Sequence, residues 1–171
     1  MEREMSKDLS GYKFLFCDLD GTLIKTVSGK TFPTDVTDFR IRKDVVDKIR
    51  SMARRGFLEY VFIVSNQGGI PRYVSSRDFL AKQRAVVTFV EDYTGCFVAS
   101  SFCVSTDPSD RMRKPNTGML ENKVGEDDKP LCLMIGDASG KEGDFSDSDR
   151  KCAENFDIDY MDVEDFVRME V

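Results

Sequence analysis

The chain has 171 residues, 40% of them apolar and 33% charged, which suits a single domain with a sizeable core. It contains no histidine, which excludes Ser-His-Asp and Cys-His catalysis, histidine phosphotransfer and most zinc sites. The net charge is −6, but residues 137–165 hold 11 acidic and 3 basic side chains while basic residues cluster at Arg40–Lys43, Lys48–Arg55 and Arg111–Lys114; these are either solvated faces or an acidic, metal-binding end beside a basic rim that faces phosphate.

Along the chain, residues 1–10 are charged and lack an apolar h-region, so they read as a poorly ordered tail rather than a secretory signal. Residues 11–171 then form one domain, and no apolar run reaches the ~20 residues of a membrane helix. Tyr12–Cys17, Tyr60–Val64, Phe97–Val104 and Leu131–Ile135 read as buried strands, with Ile158–Met161 as a fifth. Between them, Val45, Val46, Ile49, Met52 and Ala53 share a helix face that Gly56 stops. Phe79, Leu80, Val86, Val87 and Val90 mark a second helix, capped by Ser75 or Ser76 and stopped by Gly95. Shorter helices are predicted near Gly118–Val124, Asp147–Asn155 and Val163–Met169. The five cysteines, Cys17, Cys96, Cys103, Cys132 and Cys152, form no Cys-x-x-Cys pair and read as reduced core thiols in an intracellular setting, cytoplasmic or nuclear.

Alternating strands and helices imply a Rossmann-like α/β fold, a parallel sheet flanked by helices, with ligands beyond the carboxyl ends of the strands. The first strand runs into Asp18-Leu19-Asp20-Gly21-Thr22. That run is either an acidic turn or an acyl-phosphate site, with Asp18 as nucleophile and Asp20 as the group that protonates a leaving oxygen and then deprotonates water. Gly21 lets the backbone turn sharply toward a phosphate. The second strand ends at Ser65-Asn66-Gln67-Gly68-Gly69, a polar loop or a neutral phosphate cradle. After the third strand, Lys114 precedes Pro115 and can offset carboxylate and phosphoryl charge. The fourth ends at Gly136-Asp137, with Asp144, Asp147 and Asp149 following. Carboxylates brought close to Asp18 repel one another unless a hard cation sits among them, and Mg²⁺ suits oxygen ligands.

In that order, the four segments resemble the motifs of the haloacid dehalogenase superfamily. Ser28-Gly29-Lys30-Thr31-Phe32-Pro33, Ser65-Asn66-Gln67-Gly68-Gly69-Ile70, Arg113-Lys114-Pro115-Asn116-Thr117-Gly118-Met119 and Asp144-Phe145-Ser146-Asp147-Ser148-Asp149 are similar to the polynucleotide 3′-phosphatases, over about residues 13–166. The resemblance implies Mg²⁺-dependent removal of 3′-phosphate from DNA or RNA ends during repair. Carried over, Asp18 and Asp20 are catalytic; Gly21, Thr22, Ser65, Asn66 and Lys114 contact phosphate; Asp18, the backbone of Asp20, and Asp137 hold Mg²⁺. Asp144 or Asp149 supports the metal indirectly, with Asp147 also open and spacing favouring Asp149. No Walker-type Gly-x-x-x-x-Gly-Lys run occurs, so a stand-alone, monomeric phosphatase is expected, working beside a separate kinase or ligase. Residues 23–33 are expected to make a small flap, with no large cap. The alternative is a sugar or histidinol phosphatase, whose relatives usually carry a Cys/His zinc loop that this chain cannot build.

Overall fold

The computed structural model describes residues 8–171. Five strands form one parallel sheet: β1 (Phe14–Cys17), β4 (Tyr60–Asn66), β5 (Phe97–Cys103), β6 (Cys132–Gly136) and β7 (Asp159–Asp162), in the order β5-β4-β1-β6-β7. The central strand β1 pairs Phe14 with both Tyr60 and Cys132, and Cys17 with both Ile63 and Ile135. Its four residues are all buried, as expected of a parallel strand covered on both faces.

The period-two alternation of the strands sorts the core into two layers. Leu15, Cys17, Val61, Ile63, Leu133 and Ile135 face one side, against α1 (Lys43–Arg55), α2 (Ser76–Thr94) and α5 (Val163–Arg168). Phe14, Phe16, Phe62, Val64, Cys132 and Met134 face the other, against α3 (Gly118–Glu121) and α4 (Ser148–Phe156). In α1, Val45, Val46, Ile49 and Met52 are buried, and Asp44 and Arg54/Arg55 complement the helix dipole at its two ends. Ser75 caps α2 by accepting the Asp78 N–H at 3.1 Å, and Gly95 ends it in the left-handed region, φ 77°. All five cysteines are buried free thiols. Among the described residues no helix is long and apolar enough to cross a membrane.

Several expectations need correction. Residues 1–7 of the predicted tail lie outside the described residues, but Leu9–Gly11 forms a 3₁₀ turn with Leu9 fully buried, so that segment belongs to the core. β5 is an edge strand, with Phe97 exposed and Val98–Phe102 half-buried, because only β4 pairs with it. Leu80 points to solvent, since α2 buries Phe79, Lys82, Gln83, Val86 and Val90 instead. Gly56 stops α1 with φ −135°, outside the left-handed region; a Cβ there would lie 2.9 Å from the Ser10 carbonyl oxygen, so close packing selects the glycine.

The flap is also longer than 23–33. A hairpin of β2 (Ile24–Lys25) and β3 (Arg40–Ile41) closes it at its base. Inside, the Asp38 carboxylate accepts hydrogen bonds from the Ser28 N–H (2.8 Å), Ser28 hydroxyl (2.6 Å), Thr34 N–H (2.9 Å) and Thr34 hydroxyl (3.3 Å). Those bonds, the Ser28 hydroxyl first, hold Asp38 well below the usual carboxylate range. Phe32 of the flap meets Phe145 edge-to-face, ring centroids 6.3 Å apart, and both rings are largely exposed.

Candidate active site

The four superfamily-like motifs gather at the carboxyl ends of the sheet strands: Asp18 directly after β1, Ser65 and Asn66 as the last residues of β4, Lys114 in the segment after β5, and Asp137 directly after β6. Asp18 follows β1, its N–H donating to the Ile135 carbonyl (3.1 Å), and the chain then turns tightly as the Leu19 carbonyl accepts from Leu23 and Ile24. Gly21 sits at φ 79°, and a Cβ on it would lie 1.9 Å from Asp137 Oδ2. The glycine therefore lets Asp137 approach this turn. Its N–H donates to the Ile24 carbonyl (2.8 Å), so the expected phosphate contact is not available from that group as it stands. The Thr22 side chain is fully buried and its hydroxyl has no hydrogen-bond partner among the described residues.

Lys114 is the hub. Its Nζ donates to Asp18 Oδ1 at 2.9 Å and to Asp149 Oδ1 at 2.7 Å, with lysine and Asp149 almost completely buried. Asn66, expected to touch phosphate, holds Lys114 from behind. Its Nδ2 donates to the Lys114 carbonyl (3.0 Å) and its Oδ1 accepts the Lys114 N–H (2.9 Å), which uses the amide on backbone. Ser65 is buried, its Oγ accepting from Gln67 Nε2 at 2.6 Å. The same Gln67 nitrogen donates to Asp20 Oδ2 at 2.8 Å. Gln67 stood in the polar motif without a role assigned to it; its place directly after Ser65-Asn66 was the signal.

The three later carboxylates separate cleanly. Asp149 lies beside Asp18 and Asp137, with carboxylate oxygens of the three within 4.8 Å of one another. Its Oδ2 also accepts the Ala138 N–H (3.1 Å), and Gly136 makes room for it, since a Cβ there would sit 2.3 Å from that oxygen. Asp144 is not part of the cluster: its Oδ2 accepts the N–H groups of Ser139 and Lys141, each at 3.1 Å, and so closes the loop. Asp147 precedes α4 and pairs with Lys151 at 2.9 Å. The Lys48–Arg55 run is equally distant in role. Lys48 donates to the Met169 carbonyl and Arg55 to the Val171 carbonyl, so these residues tie α1 to the C-terminal segment rather than form a phosphate-facing rim.

Charge in the cluster is unbalanced, because Asp18, Asp20, Asp137 and Asp149 face one lysine. Burial pushes the Asp18 carboxyl well above its ordinary range; Lys114 opposes this, and Asp149, Asp137 and Asp20 add to it. Burial and then Asp149 raise Asp137 to about 6. Burial alone would lower the Lys114 pKa, but Asp149 and Asp18 outweigh it and raise the ammonium's pKa. A hard divalent cation among the carboxylate oxygens of Asp18, Asp137 and Asp149 would supply the missing positive charge, so the all-oxygen cluster fits one.

The family model described as Polynucleotide kinase 3 phosphatase matches residues 13–167. The chain is 34% identical over 160 residues to the bifunctional polynucleotide phosphatase/kinase of Schizosaccharomyces pombe, covering 90% of this chain but 37% of that protein. It therefore spans just over a third of that relative's length. It is 27% identical over 210 residues to the polynucleotide 3′-phosphatase of Saccharomyces cerevisiae, covering 92% and 88% of the two chains. A 20.8 kDa protein of Autographa californica nuclear polyhedrosis virus is 30% identical, with 90% and 85% covered. Among solved structures, a candidate HAD-like phosphatase from Mesorhizobium loti matches with TM-score 0.56 and 28% identity over 82% of this chain and 69% of that one. The D,D-heptose 1,7-bisphosphate phosphatase of B. bronchiseptica shares the fold, with TM-score 0.62 at 17% identity over 84% and 75%. With nearly its whole length matched and the motif residues gathered at one edge of a HAD-like sheet, the chain belongs to the polynucleotide kinase 3 phosphatase family.

Proposed function

We propose that this chain is a polynucleotide 3′-phosphatase that hydrolyses the 3′-phosphate of DNA or RNA ends through an aspartyl-phosphate on Asp18. The observation that carries the reading is the buried junction of Asp18, Lys114 and Asp149 beside Asp20 and Asp137, within a family whose relatives include a named polynucleotide 3′-phosphatase.

In the first step an Asp18 carboxylate oxygen attacks phosphorus. The bond from phosphorus to the 3′-oxygen breaks, and Asp20 gives its proton to that oxygen. In the second step Asp20 takes a proton from water, water oxygen bonds phosphorus, and the Asp18–phosphorus bond breaks to release orthophosphate. Lys114 holds positive charge against Asp18 throughout, and the Ser65 hydroxyl is a neutral donor for a phosphate oxygen. Asp18, Asp137 and the Asp20 backbone would hold Mg²⁺, with Asp149 behind them through Lys114 and the Ala138 N–H. That ion would supply Lewis-acid stabilisation of phosphoryl charge.

Nucleic-acid 3′ ends are the proposed partners, and a separate kinase or ligase the proposed neighbour in end repair. A location in the cytoplasm or nucleus fits the five buried free thiols. Phe32 and Phe145, exposed where the flap meets the loop after β6, offer apolar surface that suits a polymer end. The net charge of −6 favours a small phosphate ester instead, so substrate choice is the test. Turnover of a 3′-phosphorylated oligonucleotide is expected to exceed that of sugar phosphates, with shallow salt dependence because few phosphates are neutralised. Equal or better turnover of sugars rejects the assignment. Asp18→Asn is expected to abolish turnover while the protein stays folded, and wild-type-like activity in that variant removes Asp18 as nucleophile.

A further inference from the structure

The Gln67 side chain touches both the acid/base candidate and the phosphate-side serine. Its Nε2 donates to Asp20 Oδ2 at 2.8 Å and to Ser65 Oγ at 2.6 Å, one hydrogen for each acceptor. Its own N–H donates to the Cys103 carbonyl at 2.7 Å, which anchors the residue to the end of β5. The side chain is therefore held from behind and has both donors aimed at the site.

An amide suits this position for a reason that a charged group would not. In the two-step reaction proposed above, Asp20 must be protonated in one step and ionised in the next. A lysine or arginine would favour the ionised form throughout. A neutral donor can hold Oδ2 in both states and leave the other oxygen, Oδ1, to exchange the proton with the ester oxygen and with water. The second bond matters as well. Because Ser65 Oγ accepts from Gln67, the serine's own hydrogen is turned away from Gln67 and toward an acceptor elsewhere, such as a phosphate oxygen.

We infer that Gln67 is a positioning residue that fixes which oxygen of Asp20 carries the transferred proton and which way Ser65 donates. The inference rests on the phosphatase reading of Asp18 and Asp20, but not on the substrate being a nucleic acid.

The test compares kcat/KM on esters with poor and good leaving groups. This constant reports the steps through the first ester cleavage and so excludes the later hydrolysis that all substrates share. Gln67→Met keeps length and removes both donors; Gln67→Glu keeps shape and sets a carboxylate against Asp20. Substrates are a 3′-phosphorylated oligonucleotide, β-glycerophosphate and p-nitrophenyl phosphate, all with wild type and Mg²⁺ in parallel. General acid catalysis contributes ~10²–10⁴-fold, and a misaimed acid is expected to lose at least about tenfold more on the two alkyl esters than on the aryl ester, which departs without a proton. The Glu variant is expected to show the larger gap. If either folded variant loses equally on alkyl and aryl esters, or loses nothing, the positioning role is overturned. A wild type that prefers β-glycerophosphate to the oligonucleotide instead overturns the substrate assignment, and the alkyl-to-aryl comparison still judges Gln67.

Discussion

Replacing Lys114 with methionine removes the only cation among the described residues that is bonded to Asp18 and Asp149, and leaves three carboxylates within 4.8 Å of one another. The lysine is almost fully buried, as is Asp149, so water cannot take over the lost bonds. Breaking a buried pair by deleting one partner costs about 3–5 kcal/mol. For a chain of this size each kcal/mol moves Tm by roughly 2–4 °C, so the variant is expected to melt about 6–20 °C lower in chelator. Mg²⁺ should then stabilise the variant more than the wild type, because the ion meets a cluster short of one positive charge. Differential scanning calorimetry with chelator and with Mg²⁺ measures both effects. Pairing the change with Asp149→Leu should recover part of the loss, since that removes one orphaned carboxylate along with the lysine. A Lys114→Met Tm within about 2 °C of wild type in chelator would refute the idea that this lysine is the cluster's counter-charge.

Metal-free protein is expected to lose stability as pH rises from about 4 to 6. Asp137 is raised to about 6 in the folded state, so its contribution is complete below the ordinary carboxylate value and disappears as pH passes about 6. That gap is worth roughly 3 kcal/mol, with Asp18 shifted in the same direction. Urea denaturation in chelator reads it, and stability that is flat or rising over this window would contradict it; saturating Mg²⁺ should flatten the curve. Gly21→Ala combines a left-handed φ of 79° with a Cβ 1.9 Å from Asp137 Oδ2, so Asp137 must move. A displacement of that order is expected to lower kcat about 10²-fold, whereas Gly125→Ala, with nothing within 4 Å, should leave turnover unchanged. Phe32→Ala removes one of the two exposed rings that meet between the flap and the loop after β6 and should raise KM for the oligonucleotide more than it changes kcat; an unchanged KM would place the ring outside the substrate path.

The sheet was legible because buried parallel strands write themselves as short apolar runs, and Tyr60–Val64 and Leu131–Ile135 each fall within two residues of the observed element. The β2–β3 hairpin was not, since strands of two residues carry no periodicity. At the site, motif position revealed which residues come together but not what each one touches. Asn66 looked like a phosphate donor because its amide is chemically fit for one, yet both its polar atoms bind the Lys114 backbone 48 residues away. Among Asp144, Asp147 and Asp149, spacing to the following helix favours Asp149, and the start of α4 does turn Asp149 inward while leaving Asp147 beside Lys151.

The bonds at Lys114 join residues 96 and 35 positions apart, from the end of β1, the segment after β5 and the first turn of α4. Asp18 gains its lysine only when the segment after β5 reaches the end of β1, and Asp149 gains the same lysine only when α4 has joined them. Closing such distant loops is the costly part of assembling a chain, and it is rewarded here only at completion. A chain with β1 and β4 paired but β6 still outside the sheet therefore has a nucleophile and no machinery around it. Catalysis should accordingly vanish in step with global unfolding along a denaturant series, so that turnover itself counts the fully folded molecules in a sample.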